Sequence, residues 1–244
     1  MTGELPLLSS RAGSPSLAEA YCALRTNLSF LAGDAVKTIM VTSALPREGK
    51  STVAANLALA CANADKQVLL VDSDLRNPTQ HINFALENTA GLAQVIQHGN
   101  ERDLLVRSIQ PRLDVLTSGP LPANPPDYLA SDMMPALLGF LREHYDLVIL
   151  DSPPVLLVAD AVALGQWVDG VLFVIKAANT RPDQANKAIK QLRRANQNLL
   201  GVVLNAVDAG KAFERYERNF GVHGGGEPPQ PADPAEPSSS AGAR

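Results

Sequence analysis

Residues 43–52 read Ser-Ala-Leu-Pro-Arg-Glu-Gly-Lys-Ser-Thr, between a β-branched run, KTIMVT at 37–42, and an Ala/Leu-rich segment at 51–64. Ala44 to Ser51 match the pattern A/G-x-x-x-x-G-K-S/T in the strand–loop–helix setting that gives the pattern its meaning. Successive backbone N–H groups ahead of a helix form a nest for an anion, and the helix N-terminus adds partial positive charge. Gly49 lets the backbone come close to a phosphate. Lys50 supplies a compact charge for the β and γ phosphates, and the Ser51 hydroxyl is a ligand for Mg2+. Ala44 and Glu48 complete the nucleotide-contacting loop. A carboxylate aimed at phosphate would repel it, so the Glu48 side chain is expected to face solvent or a neighbour.

Outward from this loop, short apolar runs alternate with helical segments. Strands are predicted at 67–72 (QVLLVD), 113–117 (LDVLT), 147–151 (LVILD), 170–175 (GVLFVI) and 200–204 (LGVVL). They are continuous rather than alternating, as strands buried on both faces of a parallel sheet are. Helices are expected around 92–96, 133–144, 161–164 and 182–195. Together these predict an α/β fold of the phosphate-loop NTPase type, a doubly wound, mostly parallel sheet with helices on both faces, in a single domain. A further helix opens within residues 14–19 (SPSLAE), where Ser16 and Glu19 read as a capping box, and Leu17, Tyr21, Leu24, Leu28 and Leu31 follow at helical spacing to about Leu31. The domain organisation is a flexible arm at 1–13, an ATP-binding domain at 14–210 and a mobile tail at 211–244. From Gly224 the tail holds five prolines and no Leu, Ile, Val or aromatic residue, so it is expected to be disordered.

Composition narrows the function. The 244 residues carry a net charge of −4 and are 45% hydrophobic. An acidic balance disfavours nucleic acid, whose binding rests on phosphate neutralisation. The two cysteines, Cys22 and Cys61, lie in no metal-binding spacing and suit a reducing cytosol. No apolar run reaches the ~18 residues of a membrane span, and no secretion signal is apparent. A soluble protein is expected, linked to a membrane only through a partner.

A Mg-nucleotide site needs oxygen ligands facing the loop. Two strands end in carboxylates, where ligands bind in open α/β sheets. One runs into Asp72-Ser73-Asp74, the other into Asp151-Ser152-Pro153. Asp151 suits the Mg2+-holding role, and Asp72 or Asp74 could hold metal or orient a nucleophile. Each Asp taken alone is also a common strand-end turn former.

SALPREGKST, VLLVDSDLRNP (68–78) and VILDSPPV (148–155) resemble the Walker A, Walker A′ and Walker B motifs of the bacterial tyrosine kinases that serve capsule and exopolysaccharide synthesis. GLAQVI at 91–96, TSGPLPANPPDYLAS at 117–131 and VVLNAVD at 202–208 agree. The likeness covers about Leu17 to Asp208. It implies an ATP- and Mg2+-dependent autokinase that phosphorylates tyrosines on a neighbouring subunit, and protein tyrosine substrates beyond it. It also implies a homo-oligomer in the cytoplasm, peripheral to the inner membrane through a polysaccharide co-polymerase or activator protein. Carried over by motif, Lys50 and Ser51 or Thr52 contact phosphate and metal. Asp72 and Asp74 belong to Walker A′, one of them helping the incoming phenol lose its proton, and Asp151 belongs to Walker B. Asn205 either sits near the adenine or forms a turn.

Two departures qualify the resemblance. The family's E-x-x-R-x-x-R self-assembly stretch keeps Glu19 and Arg25 but has Cys22 in place of an Arg, and a thiol cannot donate a guanidinium's charge-assisted hydrogen bonds. The family's tail tyrosine cluster is reduced to Tyr216, either a phosphoacceptor or an ordinary surface residue. Two other functions fit a phosphate loop: a non-catalytic nucleotide-switched adaptor of a membrane co-polymerase, and a partitioning or positioning ATPase. The latter would carry an extra Lys early in the loop, and residues 44–49 hold none.

Overall fold

Seven strands form one sheet in a computed structural model, which describes residue 7 and residues 15–99 and 106–207. They are β1 (Thr38–Ser43), β2 (Val68–Asp72), β3 (Val106–Gln110), β4 (Leu113–Leu116), β5 (Leu147–Asp151), β6 (Gly170–Lys176) and β7 (Leu199–Asn205). The order across the sheet is β3-β4-β2-β5-β1-β6-β7. Every neighbouring pair is parallel except β3 with β4. The six strands expected from the apolar runs are all present. The antiparallel β3 is an addition, half-exposed and polar in sequence (VRSIQ).

The central strands are buried on both faces, which is why their sequences do not alternate. Met40, Leu69, Val71, Val148, Leu150 and Phe173 face one apolar cluster, and Ile39, Val41, Leu70, Ile149, Leu172 and Val174 face the other. The first is roofed by α4 (Leu92–His98), α5 (Pro125–Ala130), α6 (Met133–His144), α7 (Asp160–Gly165) and α8 (Pro182–Arg194); the second by α1 (Pro15–Ala32) and α2 (Lys50–Ala62). A four-residue helix, α3 (Gln80–Asn83), follows β2. Helix α2 is buried on almost every side, between the sheet and α1. That explains its Ala-rich sequence: small side chains allow close approach on two opposite faces.

Two expectations for α1 change. Pro15 is its first residue. Its fixed φ and missing N–H suit that position, so Ser16 falls inside the first turn rather than at the cap, where a capping box would need it. Leu31, the last residue of the predicted apolar stripe, is 65% exposed, beside Phe30 at 84%. Leu17, Tyr21, Leu24 and Leu28 do pack onto the core. Trp167 packs against the other cluster, and its indole N–H donates to the Leu129 carbonyl at 3.2 Å.

GLAQVI and TSGPLPANPP meet at a close junction. An added Cβ on Gly91 would lie 2.1 Å from the Thr117 carbonyl oxygen, so only glycine lets α4 start there. Asn88 fastens the same turn, its Oδ1 accepting the Gly119 N–H at 2.8 Å. The chain divides after Val207, and Asp208–Arg244 lies outside the described residues, as do the arm except Leu7 and the tail with Tyr216. Among the described residues, no helix is long and apolar enough to cross a membrane.

Candidate active site

The phosphate loop leaves the C-terminal end of β1, the strand between β5 and β6. Arg47 and Gly49 both take left-handed backbone, at φ 64° and 93°. Gly49 caps α2, and the Lys50, Ser51 and Thr52 N–H groups open that helix toward the loop. Glycine is required at 49 for two reasons. Its φ is costly for an L side chain, and a Cβ there would sit 2.0 Å from Nδ2 of Asn205. That Asn205 amide donates to the Glu48 carbonyl at 3.0 Å, so the end of β7 buttresses the loop. Ala44 is fully buried beneath the loop.

Of the two environments expected for Glu48, the structure shows the neighbour. Glu48 is 3% exposed. Oε2 accepts the Leu45 N–H at 2.8 Å, and Oε1 accepts the Thr180 hydroxyl in a short hydrogen bond. It therefore points away from where a phosphate would lie.

Lys50, Asp72, Asp74 and Asp151 converge. Asp72 and Asp151 are register partners on β2 and β5, and Asp151 is in register with Val41 on β1. Lys50 Nζ lies 2.9 Å from Asp74 Oδ2, 3.7 Å from Asp151 Oδ1 and 3.1 Å from Ser51 Oγ. Burial opposes the Lys50 ammonium, but Asp151, Asp74 and Asp72 more than offset it, and its pKa is raised. Burial pushes both Asp72 and Asp151 above the ordinary carboxylate range. The Asp151 charge adds to the effect at Asp72, while Lys50 opposes it at Asp151.

The three carboxylates differ in what they hold. Asp72 is tied to backbone: Oδ2 accepts the Thr79 and Gln80 N–H groups at 2.9 and 2.8 Å, and Oδ1 accepts that of Asp74 at 3.3 Å. Asp74 divides its oxygens, Oδ1 accepting the Asn77 N–H at 3.0 Å and Oδ2 meeting Lys50. Asp151 Oδ2 accepts from Gln80 Nε2 at 2.7 Å, while its buried Oδ1 has no well-formed hydrogen bond.

Three participants escaped the reading of the sequence. Gln80, fully buried, joins three motifs: its side chain donates to Asp151 and to the Ser51 carbonyl, and its N–H to Asp72. Thr180 reaches the loop from the β6–α8 connection. Arg76 forms a bidentate pair with the buried Asp160 at 2.8 and 3.0 Å, tying the Asp74 turn to α7. Arg76 has a visible signal in its place after DSDL, but its partner lies 84 residues away.

A cleft of about 530 Å3 opens over Lys50, Ser51, Asp74 and Arg76, walled also by Arg47, Thr52, Asn77, Pro153 and Leu157. Its chemistry suits a hard cation with a polyphosphate. Ser51 Oγ lies beside Lys50, and the unsatisfied Asp151 Oδ1 faces the same ammonium. Among the described residues, no group of three His, Cys, Asp or Glu side chains forms a ready metal cage. Mg2+ commonly takes one or two protein oxygens and draws the rest from phosphates and water.

Comparison with known proteins decides the family. An AAA domain model matches residues 36–201. The tyrosine-protein kinase YwqD of Bacillus subtilis is 44% identical over 84% of this chain and 86% of its own length. This chain belongs to the bacterial tyrosine kinase family. Within that family, the solved kinase domain of the Escherichia coli tyrosine kinase ETK is 34% identical with a TM-score of 0.78, covering 85% of this chain and 82% of that one. The chimerical protein CapA2B2 is 36% identical with the same TM-score, over 85% and 92%. The structure also places the two residues expected to serve assembly. Glu19 is exposed on α1, whereas Arg25 is half-buried and donates to the Ala60 carbonyl near the end of α2 at 3.1 Å.

Proposed function

We propose that this chain is an ATP- and Mg2+-dependent protein-tyrosine kinase of capsule or exopolysaccharide export, acting as a homo-oligomer beside an inner-membrane activator. The observation that carries the reading is Lys50 Nζ suspended between Asp74 and Asp151 at the head of α2. An ammonium held by two carboxylates is preplaced for a polyanion and can exchange one partner for phosphate oxygen. The likeness to YwqD and to the ETK kinase domain supports the choice of tyrosine as acceptor. CapA2B2, a chimera, supports the idea of a companion protein.

In this reading Ser51 and Asp151 would hold Mg2+, which would supply charge neutralisation for the phosphoryl group. Lys50 turns from Asp74 to the phosphates. Asp74 Oδ2, relieved of the ammonium, is then free to accept the phenol proton. Asp72, already committed to three backbone N–H groups, keeps the Asp74 turn in place. Gly49 and the first N–H groups of α2 line the phosphate path, with Thr52 beside them. Asn205 supports the loop from beneath. Tyr216, Glu19 and Arg25 are proposed for autophosphorylation and assembly.

Incubation with ATP and Mg2+, with and without a candidate activator, tests this. Phosphotyrosine is expected in wild type and lost in Lys50→Met. Wild type that forms none even with its activator contradicts the proposal.

A further inference from the structure

Glu48 places a carboxylate inside a loop whose work is to bind phosphate, which calls for a compensating role. Its contacts indicate one. Oε2 holds the Leu45 N–H, Oε1 the Thr180 hydroxyl, and its carbonyl the Asn205 amide. Thr180 is fixed in turn, since its Oγ accepts the Lys176 N–H at 3.0 Å. The loop is thereby fastened at Glu48 to both β6 and β7. Glu48 also lies between Arg47 and Gly49, the two left-handed residues of the loop. A non-glycine residue such as Arg47 keeps that conformation only where its surroundings enforce it.

We infer that Glu48 and Thr180 form a strut that preorganises the phosphate loop, making both positioning residues for the nucleotide. Neither side chain is among those walling the cleft. Without the strut, the Leu45 N–H and the Thr180 hydroxyl lose their partner and the loop must be ordered at the expense of binding energy. A carboxylate near phosphate is repulsive, so if repulsion were its whole effect, neutralising it would tighten binding. The two accounts therefore predict opposite signs.

The inference rests on the nucleotide reading above. Its test is calorimetric titration of the full chain with Mg-ADP, each protein held well below its unfolding midpoint. We expect Glu48→Ala and Thr180→Val each to weaken binding about ten-fold. The double variant should be no weaker than the worse single one, because both remove the same strut. Glu48→Gln should also bind more weakly despite losing its charge, and Thr180→Ser should stay within about two-fold of wild type. The Gln and Ser variants conserve volume and carry the test should the Ala or Val variants fail to fold. Glu48→Gln binding as tightly as wild type or more tightly, or Thr180→Val matching wild type while losing only thermal stability, overturns the strut. Wild type that binds no Mg-ADP overturns the nucleotide reading itself.

Discussion

Gln80 Nε2 donates to Asp151 Oδ2 at 2.7 Å across 71 positions of sequence, and the same nitrogen reaches the Ser51 carbonyl at 3.1 Å. One amide thus joins the strand that ends in Asp151 to the helix that carries Lys50. Asp151 is wholly buried, so the donors it keeps determine how well its charge is tolerated.

Gln80→Leu should therefore cost more than a surface change. Loss of a hydrogen bond to a buried charge is expected to lower unfolding free energy by about 1–3 kcal/mol. Urea denaturation of both proteins, compared at equal m, checks it. A change below about 0.5 kcal/mol, the size of an ordinary surface substitution, would show that Asp151 does not depend on this amide.

Gly49→Ala meets two obstacles, the left-handed φ of 93° and the Asn205 amide 2.0 Å from the new Cβ. The backbone contribution alone is about 1–2 kcal/mol. Adding Asn205→Ala clears the collision but not the φ cost, so nucleotide affinity should recover only in part. Full recovery in the double variant would assign the whole effect to the side chain.

Asp72 sets a pH dependence. In the unfolded chain its carboxyl ionises near pH 4, whereas burial beside Asp151 pushes the folded value up to about 8. Between these values the folded state binds more protons than the unfolded one, so this group makes stability fall as pH rises. The urea midpoint of the nucleotide-free protein should drop from about pH 5 to 8, and Asp72→Asn should flatten that slope. A wild-type midpoint that climbs through the window to the same extent as the variant's would refute the assignment.

The thiols should separate cleanly. Cys61 is 2% exposed and burial raises its pKa to about 11, leaving almost no thiolate at neutral pH. Cys22 is partly exposed on α1. Iodoacetamide followed by peptide mass mapping is expected to modify Cys22 in the native protein and Cys61 only after denaturation. Equal labelling of both would mean that α1 opens readily from α2.

How far the sequence discloses this molecule depends on the range of the forces involved. Continuous runs such as LVILD and VLLVD announce buried strands because burial on two faces leaves no room for polar alternation. The phosphate loop is equally plain, since its chemistry is confined to eight consecutive residues. Strand β3 is hidden because VRSIQ, at a half-exposed edge, needs little apolar surface. Gln80, Thr180 and the Arg76–Asp160 pair are hidden because their partners are brought together only by the sheet. Leu31 fits the helical period of α1 and is still exposed, since periodicity specifies a face and not what covers it. The two strand-end carboxylates show the same limit. Asp72 and Asp151 look alike at two strand ends, but one is bound by backbone N–H groups and the other turns an oxygen, Oδ1, toward Lys50.

That difference leads to the most direct test of the site. Calorimetric titration of the folded chain with ADP, with and without Mg2+, should show saturable binding that Mg2+ strengthens in wild type. Asp151→Asn should retain ADP binding and lose most of the Mg2+ enhancement. No association in folded wild type, or an equal Mg2+ effect in Asp151→Asn, would contradict the account.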